Sequence, residues 1–247
     1  YDVFDEARYF QPSKEVKPVK LSGLSVGVTI CEDIWSEDFL PSNLYVKDPA
    51  GSLAEQGIDV LLNLSASPFH SGKPKERHSM LSFLARRIDV PVIYCNAIGG
   101  NDQLVFDGNS VAYSSAGDVI TQCPGFRECL KIVDTEGAAS DYQFSDRLDV
   151  LYNALVLGLK DYIRMCGFKK VVIGLCGGID SALTAVLAAE AVGVENVLGV
   201  TMPSEYSSSG SINDSESLAN NLGIAIEKIS IGKSFESLKN DLSALFA

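Results

Sequence analysis

The apolar positions of this chain fall into two rhythms. Up to about residue 137, short runs rich in Val, Ile and Leu recur at 24–30, 60–64, 90–94 and 110–113, each of strand length. Between them 74–87 has helical spacing, and 118–121 and 130–133 read as further short strands, which predicts a sheet-rich α/β layer. From 146 the rhythm changes. Leu148, Leu151, Leu155, Leu159 and Tyr162 recur every three or four positions and predict a helix over 146–166. Strands at 171–175, 197–202 and 224–230 then alternate with helices at 181–192, 214–222 and 234–246. That alternation predicts a parallel sheet with ligands at the carboxyl ends of its strands. A polar, Gly-containing stretch at 134–141 separates the halves, so domains are expected at 1–137 and 146–247, with a linker at 138–145.

Two places carry candidate chemistry. Gly174-Leu175-Cys176-Gly177-Gly178-Ile179-Asp180-Ser181 runs from an apolar strand through paired glycines straight into a helix. Such a turn aims unpaired helix N–H groups and the Ser181 hydroxyl at one point, which suits a phosphate. The glycines lack Rossmann spacing, and Asp180-Ser181 stands where a Walker A loop requires Lys-Ser/Thr. Without a ligand the same residues make a tight turn in which Asp180 caps the helix. In the other half, Cys31 follows the strand at 24–30 and opens Cys-Glu-Asp-Ile-Trp, placing a thiol at a sheet edge beside carboxylates. On residue type alone a buried structural thiol is the simpler reading.

Composition narrows the partners. With 46% hydrophobic residues in a length of 247, the chain can bury a substantial core. A net charge of −12 without a basic cluster argues against non-specific binding to nucleic acid or an anionic membrane. No apolar run approaches the roughly 20 residues that span a bilayer, and no signal-peptide pattern opens the sequence. The six cysteines form neither Cys-x-x-Cys pairs nor zinc-type spacings with His, and read as reduced thiols of a cytoplasmic protein. The sequence begins at Tyr1 inside what reads as a motif and ends within a helical pattern, as a fragment would.

Several segments taken together go further. Val-Phe-Asp-Glu-Ala-Arg-Tyr-Phe at 3–10, Ile-Cys-Glu-Asp-Ile-Trp at 30–35, Asn-Leu-Ser-Ala-Ser-Pro-Phe at 63–69 with Gly72-Lys73, and Gly-Gly-Asn-Asp-Gln-Leu-Val-Phe-Asp-Gly at 99–108 resemble, in order, the carbon–nitrogen hydrolase (nitrilase-type) glutaminase domain. The glycine loop resembles the Ser-Gly-Gly-x-Asp-Ser pyrophosphate loop of ATP-pyrophosphatases, with Cys176 in place of the first serine. Joined to Met202-Pro-Ser-Glu-Tyr-Ser-Ser-Ser209, the whole is similar to the two-domain glutamine-dependent NAD synthetase family.

That resemblance implies part of a nitrilase-type α-β-β-α sandwich, followed by part of a parallel-sheet α/β domain of the adenine-nucleotide α-hydrolase type. It implies that Cys31 attacks the side-chain amide of glutamine, that Tyr1, Glu32, Trp35, Ser67 and Lys73 form the glutamine pocket, and that Glu6 supports the site. The lysine and glutamate that complete the family's triad fall upstream of Tyr1. In the second half, Gly174, Leu175, Cys176, Gly177, Gly178, Ile179, Asp180, Ser181 and Met202 would bind ATP, with Asp180 taking Mg2+ and no organic prosthetic group required. The implied substrates are glutamine, ATP and nicotinic acid adenine dinucleotide, with ammonia passing between the sites in a homo-oligomer. Without the resemblance, Lys73 reads as a solvated charge, Trp35 as a core aromatic, and Asp107 and Asn109 as turn residues. Two alternatives stand beside it: another pyrophosphate-loop amidotransferase, and a non-catalytic regulatory or assembly protein built on the same folds.

Overall fold

A computed structural model describes residues 8–11, 13–35, 39 and 47–243. The chain divides into two compact units that are interleaved in sequence, one made of 1–98 and 106–146, the other of 99–105 and 147–247.

In the first unit, β1 (Val19–Leu21), β2 (Leu24–Ile30), β3 (Val60–Ser65) and β4 (Val92–Asn96) lie side by side, followed by β7 (Val111–Tyr113) and β8 (Val119–Gln122), in a six-stranded mixed sheet. Strands β2, β3 and β4 are parallel, with Ile30 opposite Leu64 and Leu64 opposite Cys95. Their carboxyl ends therefore finish together, which places Cys31 beside the residues that follow β3 and β4. Helix α1 (Pro49–Ala54) is capped by Asp48, whose carboxylate accepts from the Gly51 amide at 3.0 Å. It packs with α2 (Lys73–Ile88) on the sheet through Leu53, Met80, Leu81, Leu84, Leu61 and Val92. Gly27 makes room for the core side chain of Ile58, since a Cβ there would meet Ile58 Cδ1 at 2.7 Å.

The strand expected at 130–133 does not form. Leu130 and Ile132 are each 98% exposed, and among the described residues no strand pairs with them, so the apolar alternation has no partner. The polar stretch beyond is tied back to β8: the Ser140 amide donates to the Val119 carbonyl at 2.7 Å and the Gln143 amide to Gln122 Oε1 at 2.9 Å.

The second unit is built on a three-stranded parallel sheet in the order β11 (Ala225–Lys228), β10 (Val197–Thr201), β9 (Val171–Gly174). Helices α3 (Arg147–Met165), α4 (Ile179–Val192), α5 (Ser209–Leu222) and α6 (Gly232–Leu242) complete the alternation. Its core gathers Leu175, Ala185, Ala188, Val197, Ala219 and Ile224. Helix α5 begins five residues earlier than its apolar pattern, because the Ser208 hydroxyl accepts from the Ser211 amide at 3.1 Å and caps the helix inside the serine-rich turn.

This unit also holds the tip of a hairpin that the periodicity did not show, β5 (Ile98–Asn101) and β6 (Leu104–Asp107). The Gly100 amide donates to Asp161 Oδ2 of α3 at 2.8 Å. A Cβ on Gly100 would lie 3.1 Å from the Gly158 Cα, so both glycines serve a close backbone approach.

Candidate functional sites

Cys31 sits where β2 gives way to a short 3-10 turn, Cys31–Ile34. Its φ of 47° is in the left-handed region, a conformation that costs a non-glycine residue on the order of 1–3 kcal/mol. The surroundings hold it there. The Asp33 carboxylate accepts from the Ile30 amide at 2.8 Å, and the Asn63 amide group donates to the Cys31 carbonyl at 3.3 Å and to Thr29 Oγ1 at 3.1 Å. Ser65 Oγ in turn donates to Asn63 Oδ1 at 2.6 Å. Of the two carboxylates in the Cys-Glu-Asp segment, Asp33 fixes the turn.

A cavity of about 570 Å³ opens at this strand end, lined by Cys31, Leu64, Ser65, Ala66, Cys95 and Asn96 among others. Of the residues expected in the glutamine pocket, Glu32 comes from the turn itself, Trp35 from the residue that closes it, Ser67 from the loop after β3, and Lys73 from the first position of α2. Lys73 Nζ stands 4.3 Å from the centre of the Trp35 ring, and Trp35 also packs against the core, as an aromatic of the interior would. Burial pushes the Lys73 ammonium below its ordinary value; the charges of Glu76, Glu32 and Cys31 oppose that shift and Arg77 adds to it. Lys73 is therefore a half-buried cation within electrostatic reach of Glu32 and Cys31. Tyr1 and Glu6 lie outside the described residues.

Beneath these groups is a polar network that the sequence reading treated as a turn. Arg77 and Asp107, 1% and 0% exposed, form a two-pronged ion pair at 3.1 and 2.6 Å. Burial opposes the Arg77 charge, but the hydrogen bonds and charge of Asp107 hold its pKa above the ordinary value. Asn96 donates to the Gly108 carbonyl at 2.8 Å and reaches Asp107 Oδ1 at 3.4 Å, while its own Oδ1 accepts from the Ser67 amide at 2.9 Å. Asn109 does hold its turn, donating to Asp107 Oδ2 at 2.7 Å.

The second site lies at the end of β9. Leu175 is buried and its amide donates to the Val200 carbonyl at 2.8 Å, which locks the start of the loop to β10. Gly177 has φ 77°, and a Cβ there would lie 2.6 Å from the backbone of Ser211, so only glycine fits. Helix α4 starts at Ile179 with Gly178 at the cap and no side-chain cap bond, which leaves Asp180 inside the first turn. The Ser181 hydroxyl donates to the Gly178 carbonyl at 3.0 Å and lies 3.4 Å from both the Cys176 amide nitrogen and its thiol. Ser181, followed by the Gly178 amide, draws the exposed Cys176 thiol below its ordinary pKa. Ile179 and Met202 are exposed, and Met202 Cε approaches within 3.4 Å of where a Cβ on Gly174 would sit. Gly174, Cys176, Gly177, Gly178, Ser181 and Met202 are therefore one neighbourhood at the carboxyl ends of β9 and β10.

The carbon-nitrogen hydrolase family model matches residues 2–139. The chain belongs to this family. Beyond its carbon-nitrogen hydrolase part, residues 151–245 match the NAD synthase model. The chain is 42% identical over its whole length to a glutamine-dependent NAD(+) synthetase of Synechocystis and 41% identical to one of Thermotoga maritima. It spans about half of these curated relatives, 46% and 48% of their lengths. A solved glutamine-dependent NAD+ synthetase from Acinetobacter baumannii, in complex with ADP, superposes with a TM-score of 0.90 at 34% identity, covering all of this chain and 46% of that one. The fold is accordingly a carbon-nitrogen hydrolase layer followed by an NAD synthetase α/β domain.

Sequence reasoning about the carbon-nitrogen hydrolase part passed over Asn63, Asn96 and Arg77. Asn63 and Asn96 carried one faint signal, since each is an amide in a strand otherwise suited to apolar residues.

Proposed function

We propose that the protein containing this chain is a glutamine-dependent NAD synthetase that hydrolyses glutamine at Cys31 and uses the ammonia at the loop 174–181. The observation that carries this reading is the presence in one chain of a strained, buttressed Cys31 turn within the carbon-nitrogen hydrolase match and a phosphate-type loop, with Gly177 fixed as glycine, within the NAD synthase match. The corresponding division is a glutaminase part at 1–137, a linker at 138–145 and a synthetase part at 146–247.

In the first part, the Cys31 thiol gives its proton to a base and its sulfur attacks the amide carbon of glutamine; the carbon–nitrogen bond breaks as that proton passes to the nitrogen, which leaves as ammonia, and water then cleaves the thioester to glutamate and the free thiol. Glu32 and Ser67 suit the substrate's ammonium, and Lys73 its carboxylate. Trp35 walls the pocket on the side of Lys73, and Tyr1 and Glu6 belong to the same assignment. In the second part, the nicotinate carboxylate attacks the α-phosphorus of ATP and expels pyrophosphate, after which ammonia displaces AMP to leave the amide. The amides of Gly177 and Gly178 and the start of α4 suit the pyrophosphate, with Ser181 adding a hydroxyl.

Among the described residues no cluster of three or more metal-ligating side chains occurs. A lone carboxylate at Asp180 beside a phosphate loop still fits Mg2+, which keeps several waters and takes one or two carboxylates together with phosphate oxygens. Bound there, Mg2+ would neutralise charge on the phosphates. No described helix is long and apolar enough to cross a membrane. Assembly into a homo-oligomer and a cytoplasmic setting complete the proposal.

Formation of AMP and NAD by the full-length protein, with glutamine and then with ammonium, tests the division of labour. Cys31→Ala should abolish only the glutamine reaction. Loss of both reactions, or of neither, would overturn it.

A further inference from the structure

Ser67 and Lys73 come from different elements, yet one buried carboxylate ties both down. Arg77 is one turn along α2 from Lys73, and both prongs of its guanidinium end on Asp107. Asp107 Oδ1 also lies 3.4 Å from Asn96 Nδ2, and Asn96 Oδ1 holds the Ser67 amide. Asn96 is in turn anchored by the Gly108 carbonyl and, through its own amide, by Ser110 Oγ at 3.0 Å. The Tyr94 hydroxyl hydrogen-bonds Ser65 and Ser67, and the Arg77 guanidinium stands 5.6 Å from the Tyr94 ring centre. The Cys31 carbonyl is held from another side, by Asn63, which Ser65 joins to the edge of this network.

We propose that Asp107 and Asn96 are positioning residues for substrate recognition, setting the spacing between the groups that grip the two ends of the amino-acid moiety. This rests on the glutamine reading of the Cys31 site. The pocket must place an ammonium and a carboxylate on one carbon, so Ser67 and Lys73 have to be held in fixed relation. A charge-assisted two-pronged bond at the base of α2 and an amide bridge to the Ser67 loop do that, because each restrains direction as well as distance. The network therefore controls how well the amino-acid end is recognised and leaves the intrinsic reactivity of the thiol to the turn.

The test uses the full-length enzyme. Asn96→Ala should raise the KM for glutamine about tenfold with kcat changed less than twofold. Inactivation by 6-diazo-5-oxo-norleucine, which carries the amino-acid end, should slow by the same factor at subsaturating concentration, while alkylation of Cys31 by iodoacetamide keeps its rate. Asp107→Asn, which keeps the volume and removes the charge, should shift KM in the same direction. Should that variant fail to fold because Arg77 is left buried without a counter-charge, Asn96→Ala decides alone. An unchanged KM, or an equal slowing of both alkylating agents, overturns the positioning role. If the unaltered enzyme neither consumes glutamine nor is labelled at Cys31 by the diazoketone, the glutamine reading itself fails.

Discussion

The side-chain amide of Asn63 donates to the carbonyl of Cys31 at 3.3 Å, spanning two adjacent parallel strands to hold a backbone conformation that cysteine does not favour. Because the same amide also meets Thr29 Oγ1 at 3.1 Å, it cannot turn away without losing both bonds.

Asn63→Ala should therefore lower stability by about 1–3 kcal/mol, the cost of unpairing buried polar partners, and should reduce glutamine hydrolysis well beyond that. Denaturant melts paired with a glutaminase assay separate the two effects. A destabilised variant with full glutaminase activity would show that the left-handed turn persists without this bond.

Gly177→Ala places a Cβ 2.6 Å from the Ser211 backbone and forces φ 77° on a residue that avoids it. The expected outcome is a strain of about 1–3 kcal/mol and loss of ATP-dependent NAD formation, with glutamine hydrolysis retained. ATP binding by calorimetry and the two activities measured in parallel check this. Normal ATP affinity in the variant would mean that the loop has more room than its geometry indicates.

Two of the thiols, Cys176 and Cys123, should react very differently. Cys176 is drawn below the ordinary thiol value by Ser181 and the Gly178 amide, whereas burial and the neighbouring Cys129 push Cys123 up to about 11. Alkylation followed by mass spectrometry near pH 8 should label Cys176 rapidly and Cys123 hardly at all, and MgATP should protect Cys176. Ser181→Ala should slow Cys176 labelling at that pH, since it removes the group that most stabilises the thiolate. Cys176→Ser, which restores the family's hydroxyl, should leave the ammonium-driven rate equal or higher.

Acid should weaken the first unit through His78. Burial, reinforced by Arg86, lowers its pKa, and its Nδ1 lies 2.7 Å from the Tyr113 hydroxyl, which retains its proton because burial raises that group. A folded-state pKa below the unfolded value means that the unfolded chain takes up the proton first, so stability present above the ordinary histidine value falls as pH drops below it. The slope is at most about 1.4 kcal/mol per pH unit and less after solvent screening of this half-buried ring. Urea midpoints at pH 7.5 and pH 5.5 should differ more for the unaltered protein than for His78→Gln. Equal differences would place the acid sensitivity elsewhere.

What the sequence disclosed followed from local rules. The strand at 24–30 and the helix beginning beside Ser181 were legible because apolar spacing and glycines act over a few residues. The loop's glycines also declared themselves, although only the approach of Ser211 explains why Gly177 has no substitute. Asp107 was read as a turn residue because its partner Arg77 lies 30 positions away, and a charged pair buried together leaves no periodic trace. The apolar alternation at 130–133 misled for the converse reason: strand formation depends on a neighbour, and none pairs with it among the described residues. The ligand-free alternative for Asp180, a helix cap, does not hold, because Gly178 occupies the cap with extended geometry and Asp180 lies inside the first turn.

The hairpin tip at 99–105 is counted with residues from 147 onward, so the polypeptide passes from one compact unit to the other three times. Inheritance of the two halves is thereby linked. A recombination event joining the front of this protein to the back of a relative near residue 146 would pair a foreign α3 with the native Gly99-Gly100 tip, and the offspring would survive only where a glycine and an acid recur at the positions of Gly158 and Asp161.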